Sequence, residues 1–564
     1  MQQNFDELLI CNQRGVNNQF LIQTGKDYYI NRKPFKIDGL YIFFTGYLFN
    51  FDELNTKKFN RVEELIADYY LNKRLSDLTE LFEGYFSAII IDQDRVTILM
   101  DKYGIETGYY VHDKQKSGFI FSTSLKLLHS VHSLSLSRNS IVNYLLFEDL
   151  PEGETLFDGI YKIKRGEHLV FESGSIQVST DNIKDSLDIN DQAPFKSDDE
   201  ILICLDKLLD QQFTQIQNNL PNTEVWNQLS GGVDSSLLQV FLSKTGYSKS
   251  YCANLSGYGM DGQYSGEVAE HLKCDHQVFD YSIDGVIADM NNGISCLLNP
   301  CIYIGESMFF RSFNELSGSK PLLCISGNGA DALFGHGLVL KVLKLHQTFP
   351  ALFGNLLRLA SKRVKKLDFF RFAYPDIDMK RFVLSVFSNA QMKELFTDEK
   401  LVHDAASKKA EEVFQNEDTL LNQVYASQIF HGEVSRQNPV IYKLAKMNNI
   451  MVRFPYLQEE FVTFMRRVPV EQKLKWFQNK YYAKKYLEKH LPESLIYRKK
   501  QGKQMPWEHL FTQQSKVSVT EFVKTGLDEI LKEDAIEHCY GKSGYEGLSL
   551  KLINLYNLHQ TLRV

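Results

Sequence analysis

The sequence lacks the features of disulfide-stapled, zinc-binding and membrane-spanning proteins. Its eight cysteines form no CxxC pair, and the closest two, Cys296 and Cys301, lack the spacing of a zinc site, so we expect scattered reduced thiols. No apolar run approaches the roughly 20 residues that cross a bilayer. The first residues, "MQQNFDELLI", show no basic stretch followed by an apolar one. We therefore expect a soluble, cytoplasmic protein.

The chain also lacks a long block of one charge sign. Its formal net charge of −7 is spread over both signs, which argues against nucleic acid as an obligatory partner. With 564 residues, 43% of them hydrophobic, the chain can form at least two globular domains.

The hydrophobic pattern changes once along the chain. Residues 1–180 carry short apolar runs such as "LYIFFTGYLF" and "FSAIIID" separated by Gly, Asn and Asp, which predict a strand-rich domain. Residues 181–200 are polar and acidic, and we interpret them as a linker. Residues 201–564 have mainly helical periodicity with a few buried-strand runs, "EVWNQLS" and "KPLLCIS" among them. This pattern predicts an α/β nucleotide-binding domain.

The stretch "LSGGVDSSLLQVF" predicts a phosphate site. An apolar run gives way to two glycines and then to a helix, and such a junction presents backbone N–H groups and the positive end of the helix dipole. Asp234 would repel a phosphate unless it holds a divalent cation. The alternative is a serine-capped helix after a tight turn. The candidate ATP and pyrophosphate residues are Leu229, Ser230, Gly231, Gly232, Asp234, Ser235 and Ser236.

This string resembles the pyrophosphate-binding loop of the N-type ATP pyrophosphatases. The resemblance implies cleavage of ATP between its α- and β-phosphates, so that an acceptor is adenylated. The stretch lacks the lysine of a Walker loop.

A second block, "CISGNGADALFGHG", resembles the "SGEGADELFGGY" block of asparagine synthetases. The resemblance implies that Asp331 provides a second magnesium contact beside Asp234, and that Ser326 and Gly327 line the nucleotide. Two carboxylates from separate loops suit a triphosphate-bound Mg²⁺. Taken alone, the block could be a Gly-rich turn between a strand and a helix.

A third block, "MVRFPYLQEEF" with "NKYYAKKYLEKHLPESLIYRKKQGKQMPW", is similar to the C-terminal pattern of the same family. Lys500 falls on the lysine that stabilises charge in the acyl-transfer step of asparagine and β-lactam synthetases. Arg453, Lys473 and Lys480 also match, with roles left open. Without its neighbours, "RKKQGK" would be a solvated basic loop.

The N-terminal part resembles the glutaminase domain of glutamine-dependent asparagine synthetases, through segments such as "FFTGYLFNFDEL" and "DKYGIETGYY". The resemblance implies an Ntn-hydrolase-like αββα fold. Its chemistry is missing, because the cysteine needed at position 2 is Gln2. The Asn-Gly oxyanion pair is Thr45-Gly46, and the aspartate that would bind glutamine aligns with Arg61. Processing could in principle expose Cys11 as a substitute nucleophile, but Cys11 lies where a first strand should begin. We therefore expect an inactive domain.

Three departures lie in the synthetase part. The two glutamates of "SGEGADE" are Asn328 and Ala332, and the aspartate of "PFLD" is Gln458. An asparagine cannot accept a proton as a base. The ATP and magnesium positions are therefore present, whereas positions on the amine and substrate side differ.

These observations favour an ATP-dependent ligase that adenylates a carboxylate and joins it to an amine of the same substrate. The comparable glutaminase-inactive classes are β-lactam synthetases, carbapenam synthetases and lasso-peptide cyclases. Tyr303 and Glu306 are the nearest candidates for an assisting Tyr–Glu pair, and ordinary helix residues are the alternative. The expected cofactors are ATP and Mg²⁺, and the substrate is a small-molecule or peptide carboxylate.

Other functions and partners stay open on the sequence. An amidating enzyme that uses free ammonia, a non-catalytic binding homologue and a nucleic-acid-modifying ATP pyrophosphatase are alternatives. A homodimer and a protein that delivers a leader peptide also stay open. The stretch "LVLKVLKLHQTFPALFGNLLRLASKRVKKL" predicts a packed helical hairpin, with a partner- or membrane-contacting helix as the alternative.

Overall fold

The structure is a computed structural model. It describes the following residues: 7–11, 20–23, 27–30, 33–113, 118–180, 195–318, 320–337, 340–341, 343–344, 389–413, 419–430, 433–498, 506–541 and 545–563. We refer to residues 7–180 as the N-terminal half and to residues 195–563 as the C-terminal half. Gln2 and Lys500 lie outside the described residues, as does almost all of the segment predicted to form a helical hairpin.

The N-terminal half contains twelve described strands: β1 Leu9–Cys11, β2 Phe20–Gln23, β3 Asp27–Ile30, β4 Phe35–Ile37, β5 Leu40–Leu48, β6 Gly84–Asp92, β7 Arg95–Met100, β8 Tyr109–Asp113, β9 Gly118–Ser122, β10 Tyr161–Lys162, β11 Glu167–Glu172 and β12 Ser175–Thr180. They form two six-stranded sheets with the orders β10-β8-β9-β1-β3-β2 and β12-β11-β7-β6-β5-β4. The described pairings are antiparallel. Its helices are Phe51–Leu54, Val62–Leu71, Leu75–Leu81, Leu125–His129 and Arg138–Phe147.

The two sheets pack face to face between helices. Ile10, Ile89 and Phe121 belong to an apolar cluster shared by both sheets. The helices Val62–Leu71 and Leu75–Leu81 cover the outer face of the second sheet through another cluster. Leu125–His129 and Arg138–Phe147 contribute to the large core that continues into the C-terminal half. This layering confirms the predicted αββα glutaminase-type fold.

The C-terminal half is built on one parallel sheet. Its strands are β13 Glu224–Gln228, β14 Lys249–Leu255, β15 Asp275–Tyr281, β16 Leu322–Ile325 and β17 Ile450–Arg453, in the order β15-β14-β13-β16-β17. The pairings are parallel. Helices before and between the strands are Asp198–Asn219, Val233–Lys244, Asp261–Leu272, Ile283–Leu297, Ile304–Leu316, Ala330–Phe334, Asn389–Leu395, Glu399–Val413, Leu420–Phe430 and Glu433–Met447.

Further short helices follow the sheet. They are the 3-10 turns Pro455–Leu457 and Lys475–Phe477 and the α-helices Glu459–Arg467, Val470–Lys473, Tyr481–Leu487, Glu493–Ile496, Trp507–Leu510, Gln513–Gly526, Ala535–Gly541 and Glu546–Arg563. The half is thus α/β and rich in helices, as the pattern of its sequence predicts.

The strand order places two loops side by side. β13 is followed in sequence by β14 and β15 on one side, whereas β16 lies on its other side. In an open parallel sheet, such a reversal opens a crevice at the carboxyl ends of the two central strands, where ligands bind. The segments that follow β13 and β16 are the first two sequence motifs.

The first helix described in the C-terminal half spans the predicted boundary at residue 201. This helix starts at Asp198, where the hydroxyl of Ser197 accepts a hydrogen bond from the backbone N–H of Glu200 at 3.2 Å. Three acidic residues in the first turn favour this start, because they lie at the positive end of the helix dipole. Residues 181–194 of the predicted linker lie outside the described residues.

The two halves share a polar and aromatic interface. The hydroxyl of Tyr47 donates to the carbonyl of Val452 at 2.7 Å and accepts from its N–H at 2.9 Å. Glu106, fully buried, pairs with Lys443 and lies 2.6 Å from Lys446 Nζ. Because both contacts are removed from water, the N-terminal half is fastened to the strand and helix that border the nucleotide loops.

Two expectations from composition can be compared with the described residues. The following cysteines are free: Cys204, Cys252, Cys274, Cys296, Cys301, Cys324 and Cys539. None of the helices in the described ranges is both long and apolar enough to cross a bilayer.

Candidate active site

The first loop connects β13 to the helix Val233–Lys244. Gly231 has φ +67°, and a Cβ at this position would lie 2.6 Å from the carbonyl carbon of Tyr264, so only glycine fits without displacing backbone. The backbone N–H of Ser230 donates to Oγ of Ser235 at 3.1 Å, and this hydroxyl lies 3.2 Å from the Gly232 carbonyl oxygen. The serine side chains therefore brace the loop from within, a role that sequence reasoning did not assign to them.

The helix that follows presents a favourable site for an anion. Gly232 is its N-cap and has no side chain to occupy the first N–H groups. The first turn of a helix has N–H groups without intrahelical partners and carries the positive end of the dipole. Ser236 is buried in this turn. The loop thus offers backbone donors of the kind that bind phosphate oxygens.

The second loop lies directly against the first. It begins after β16 with Ser326, whose N–H donates to the carbonyl of Arg453 at 3.0 Å. A Cβ added at Gly327 would lie 3.4 Å from the Cβ of Asp234 and 3.5 Å from the backbone nitrogen of Ser235. The predicted nucleotide positions of the two motifs are therefore neighbours, although they are far apart in the sequence.

Lys480 joins the two predicted magnesium ligands. Its Nζ lies 2.5 Å from Oδ2 of Asp234 and also forms an ion pair with Asp331. Burial alone would lower the pKa of this lysine, but the two carboxylates outweigh burial and raise it. Lys480 itself is held by its backbone, which has φ 57° and donates to the Gly335 carbonyl at 3.2 Å. A fixed positive charge thus lies between two carboxylates from separate loops.

The two carboxylates suit a magnesium ion carried by a triphosphate. Oδ1 of Asp234 is buried and has no hydrogen-bond partner among the described residues, so it is available to a cation. Mg²⁺ in nucleotide sites is held by one or two carboxylates together with phosphate oxygens. No group of three or more His, Cys, Asp or Glu side chains in the described ranges could hold a metal without such a ligand. The donor set therefore fits Mg²⁺ bound to ATP.

The third motif contributes contacts to the first loop. The hydroxyl of Tyr456 donates to the carbonyl of Asp234 at 2.7 Å. Arg498 donates to the carbonyl of Gly231 at 2.9 Å and stacks on Tyr264, with 3.7 Å between guanidinium and ring centre. Sequence reasoning missed Tyr456 and Arg498, although both lie inside the quoted motif. Lys500, two residues farther on, lies outside the described residues.

Comparison with known proteins identifies the family. The model of the asparagine synthase family matches residues 222–560, more than half of the chain, and the glutamine amidotransferase domain model matches residues 31–181.

The chain belongs to the asparagine synthase family. Asparagine synthetase [glutamine-hydrolyzing] 3 of Bacillus subtilis is 21% identical over 83% of this chain and 75% of that protein. Asparagine synthetase [glutamine-hydrolyzing] 1 of the same organism is 22% identical over 89% of this chain and 82% of that protein. The family indicates an asparagine synthetase-like, ATP-dependent amide-forming ligase.

Two solved structures show only a weak likeness. Glutamine phosphoribosylpyrophosphate amidotransferase from B. subtilis, complexed with ADP and GMP, matches at 8% identity and a TM-score of 0.22, over 58% of this chain and 71% of that one. The allosteric regulatory enzyme of purine biosynthesis matches at 9% identity and the same TM-score, over 57% and 69%. These likenesses are too weak to carry an argument.

The positions that depart from the family pattern have structural partners. Asn328 donates from Nδ2 to Oδ1 of Asn438 at 3.0 Å, which ties the second loop to the helix Glu433–Met447. Ala332 and Gln458 are buried. None of these three side chains is a carboxylate, so none of them can serve as a general base.

Arg453 and Lys473 lie away from the phosphate loop. Arg453 is fully buried with its guanidinium 4.5 Å from the ring centre of Phe49, in the interface between the halves. Lys473 Nζ lies 3.6 Å from the ring centre of Tyr425, and burial together with Arg466 lowers its pKa strongly. Of the three additional matches in the third motif, the structure thus brings Lys480 alone to the two aspartates.

Tyr303 and Glu306 occupy the start of a helix rather than the nucleotide loops. A carboxylate oxygen of Glu306 accepts a hydrogen bond from the backbone N–H of Tyr303 at 3.1 Å, which caps the helix Ile304–Leu316. The Tyr303 hydroxyl lies 3.4 Å from that of Tyr144, and the guanidinium of Arg436 lies 5.4 Å from its ring centre. These contacts favour the alternative stated above, in which Tyr303 and Glu306 are ordinary helix residues and not a catalytic pair.

The three positions predicted to be altered glutaminase residues, Thr45, Gly46 and Arg61, are engaged in packing. Thr45 is buried in β5. At Gly46, with φ +105°, a Cβ would lie 2.1 Å from the carbonyl oxygen of Tyr85. Arg61 begins the helix Val62–Leu71, lies 3.3 Å from Glu63 and stacks on the ring of Phe35. A cationic arginine with these contacts is unsuited to binding the ammonium group of an amino acid.

Proposed function

We propose that this protein is an ATP-dependent carbon–nitrogen ligase that adenylates a substrate carboxylate and joins it to an amine without hydrolysing glutamine. The observation that carries the proposal is the pair of aspartates, Asp234 and Asp331, that meet at Lys480 beside a helix N-terminus. This arrangement provides donors for pyrophosphate and carboxylates for its magnesium ion.

The first step is adenylation. A carboxylate oxygen of the substrate attacks the α-phosphorus of ATP, the bond to the β-phosphate breaks, and pyrophosphate leaves. The backbone N–H groups after Gly231 bind the leaving phosphates. Asp234 and Asp331 would hold a magnesium ion, which would supply positive charge to the phosphates. Lys480 is placed to compensate the charge that pyrophosphate gains.

The second step is acyl transfer. The amine nitrogen attacks the activated carbonyl, the bond between the acyl carbon and the AMP oxygen breaks, and the nitrogen loses a proton to form the amide. We propose that Lys500 stabilises the anionic intermediate, as its match to the family motif implies. The proton acceptor is unassigned, since Tyr303 and Glu306 cap a helix.

The amine belongs to the substrate in this proposal, so that the product is a lactam or macrolactam. Three features support it. Gln2 stands where a glutaminase needs its nucleophilic cysteine. Arg61 stands where an aspartate would bind glutamine. The two glutamates of the family's second motif are replaced by Asn328 and Ala332.

The deciding experiment is an assay of AMP and pyrophosphate release by the purified protein with Mg-ATP, aspartate and ammonium. We expect no turnover that depends on aspartate. Formation of asparagine and AMP in equal amounts would overturn the proposal of intramolecular coupling and identify an amidating enzyme that uses free ammonia.

A matched control separates chemistry from folding. Asp234→Ala removes one proposed magnesium ligand, and the fold of the variant can be verified by its thermal midpoint and circular dichroism. Candidate substrates that carry both a carboxylate and an amine are then tested. Release of AMP that the wild type shows and Asp234→Ala lacks supports the ligase. Complete absence of Mg-ATP binding by the wild type would favour a non-catalytic homologue.

A further inference from the structure

A cavity of about 310 Å³ lies between the two halves. The N-terminal half contributes residues from the segments 102–109, 123–125 and 149–165, and the C-terminal half contributes residues of the helix Glu433–Met447 and of the segment 457–462. Neither the phosphate-loop residues nor Thr45, Gly46 and Arg61 line it. Its volume is in the range of ligand-binding pockets, and it is separate from the degenerate glutaminase positions.

The cavity shares two walls with the nucleotide site. Leu457 lines the cavity, and its Cδ2 would lie 2.6 Å from a Cβ built on Gly329 in the second loop. The preceding residue, Tyr456, donates to the carbonyl of Asp234. On the second wall, Pro439 lines the cavity while its neighbour Asn438 bonds Asn328. A molecule in the cavity would therefore contact Leu457 and Pro439, and the chain neighbours of these two residues bond to the two loops.

The charged groups around the cavity are mostly paired. Lys102 pairs with Glu459, Lys443 with Glu106 and Arg436 with Glu148, and Lys409 lies 3.0 Å from Asp149. In each pair the charge of one side chain is compensated by its partner, so these pairs favour neither an anionic nor a cationic ligand.

Lys162 differs from these cations. It follows Tyr161 in the edge strand β10, is half-buried, and lines the cavity. The described residues give its ammonium neither a hydrogen bond nor an ion pair. Burial lowers its pKa although Asp149 and Glu152 act in the opposite direction from a distance. An ammonium partly withdrawn from water gains most from an anion that binds beside it.

The lining also includes the charged residues Glu7, Glu152, Glu154, Lys164, Arg165 and Glu412, and its apolar part is largely aliphatic. Leu150, Leu298, Val440, Leu457 and Val462 contribute to it. Burying an apolar body against such side chains is favourable, at about 25 cal/mol per Å². One unpaired ammonium and an apolar wall together match a monoanion with an apolar body, whereas a phosphate ester would bring a second charge without a partner.

We propose that this interdomain cavity binds a mostly apolar carboxylate, with its carboxylate at Lys162 and its opposite end behind Leu457. This inference goes beyond the proposed ligase function: the acid held at Lys162 is a ligand separate from the ATP and the carboxylate that react. A small polar amino acid such as aspartate would leave the aliphatic wall uncovered.

The test uses the full chain and three defined probes, octanoate, octylamine and octan-1-ol, in calorimetric titrations. We expect octanoate to bind the wild type and the other two not to compete with it. Lys162→Met keeps the apolar stem and should weaken octanoate binding about tenfold, the effect of losing one charge-assisted hydrogen bond. Lys162→Arg should retain binding, and so should Lys126→Met, which removes an exposed lysine outside the cavity.

The contrary outcomes are equally defined. Absence of octanoate binding, equal binding of octylamine, or unchanged octanoate binding by a folded Lys162→Met variant would overturn the inference. The same titration of Asp234→Ala separates the two proposals, since octanoate should still bind there. If octanoate binds but the wild type releases no AMP with any substrate, the ligase proposal fails and the cavity stands. If AMP is released but octanoate does not bind, the cavity assignment fails alone.

Discussion

The N-terminal and C-terminal halves both have the fold of their family domains, but they differ in what occupies the positions of catalysis. In the N-terminal half, Thr45 is buried in a strand and Arg61 is stacked and ion-paired. In the C-terminal half, Asp234 and Asp331 meet at one buried lysine. The N-terminal residues have partners within the protein. The C-terminal residues concentrate charge at one place, where a nucleotide and its cation could bind.

This difference teaches that the N-terminal half has an architectural role that does not depend on the positions predicted to bind glutamine. The N-terminal half still supplies Tyr47 to the backbone of β17 and Glu106 to two buried lysines. β17 in turn holds Ser326 through the carbonyl of Arg453. Fold and function are separable here, and we expect substitutions in the two halves to act on different quantities.

The largest expected effect separates the two halves by activity. Asp234→Ala should lower ATP-dependent pyrophosphate release by about a hundredfold or more, because it removes charge that stabilises the transition state. Thr45→Val, a substitution of similar size in the N-terminal half, should leave the rate unchanged. Release of AMP and pyrophosphate is measured for both variants. A large loss of rate in Thr45→Val would mean that the glutaminase position still takes part in the chemistry.

The next effect concerns the stability of the interface. Glu106→Gln leaves Lys443 and Lys446 buried without a carboxylate, and we expect a loss of about 3–5 kcal/mol in the free energy of unfolding. Glu172→Gln is the control, because its contact with Arg95 at 3.8 Å is half-exposed and is worth about 0–1 kcal/mol. Denaturant titration measures both. Equal losses would show that the buried cluster does not fasten the halves together.

Glu106 should also respond to pH. Burial would raise its pKa, but Lys443 and Lys446 outweigh burial and hold the pKa below its ordinary value. A carboxyl with a lowered folded-state pKa stabilises the protein above its unfolded pKa of about 4.3, and this contribution is lost as the pH falls through the folded-state value. The wild type should therefore lose stability below about pH 4 more steeply than Glu106→Gln. Parallel unfolding curves of the two proteins between pH 3 and 6 would contradict this account.

A smaller effect links the N-terminal half to the nucleotide site. Tyr47→Phe removes a hydroxyl that both donates to and accepts from Val452, at a cost of about 1–3 kcal/mol. Because β17 positions Ser326, we expect the KM for ATP to rise while kcat changes less. Tyr70→Phe, which breaks a hydrogen bond to Asp92 within the N-terminal half, should leave this KM unchanged. An unchanged KM in Tyr47→Phe would restrict the tyrosine to a structural role.

For the last variant, Gln2→Cys, we expect no change in glutamine hydrolysis. Gln2→Cys restores the residue type of the missing nucleophile, but Thr45 and Arg61 still stand at the oxyanion and glutamine-binding positions. We therefore expect no release of glutamate from glutamine. Glutamate formation by this single variant would show that the N-terminal half retains a working glutamine site.

The sequence predicts the elements and loops better than the contacts between distant residues. Apolar runs flanked by glycine and asparagine mark β5, β6, β13 and β16, because buried strands need such runs and tight turns need such residues. The two nucleotide motifs are recognisable since their glycines and aspartates are local in sequence. Their adjacency follows once the strand order is known.

Other features had either no local signal or an ambiguous one. Lys480 lies 246 residues from Asp234, and only the folded chain shows that it joins both aspartates. The cap formed by Glu306 on the backbone of Tyr303 could have been read from the sequence as a capping motif, which competes with a catalytic interpretation of the same two residues. The interdomain cavity and the unpaired Lys162 depend on the packing of both halves, which periodicity does not specify.

The measurement that tests the central claim most directly is isotope exchange of pyrophosphate into ATP by the purified protein, with a set of amphipathic carboxylates, in the presence and absence of glutamine. The account predicts exchange that depends on a carboxylate, disappears in Asp234→Ala and is indifferent to glutamine, with no glutamate formed. Exchange that requires glutamine, or glutamate formed together with AMP, would contradict it.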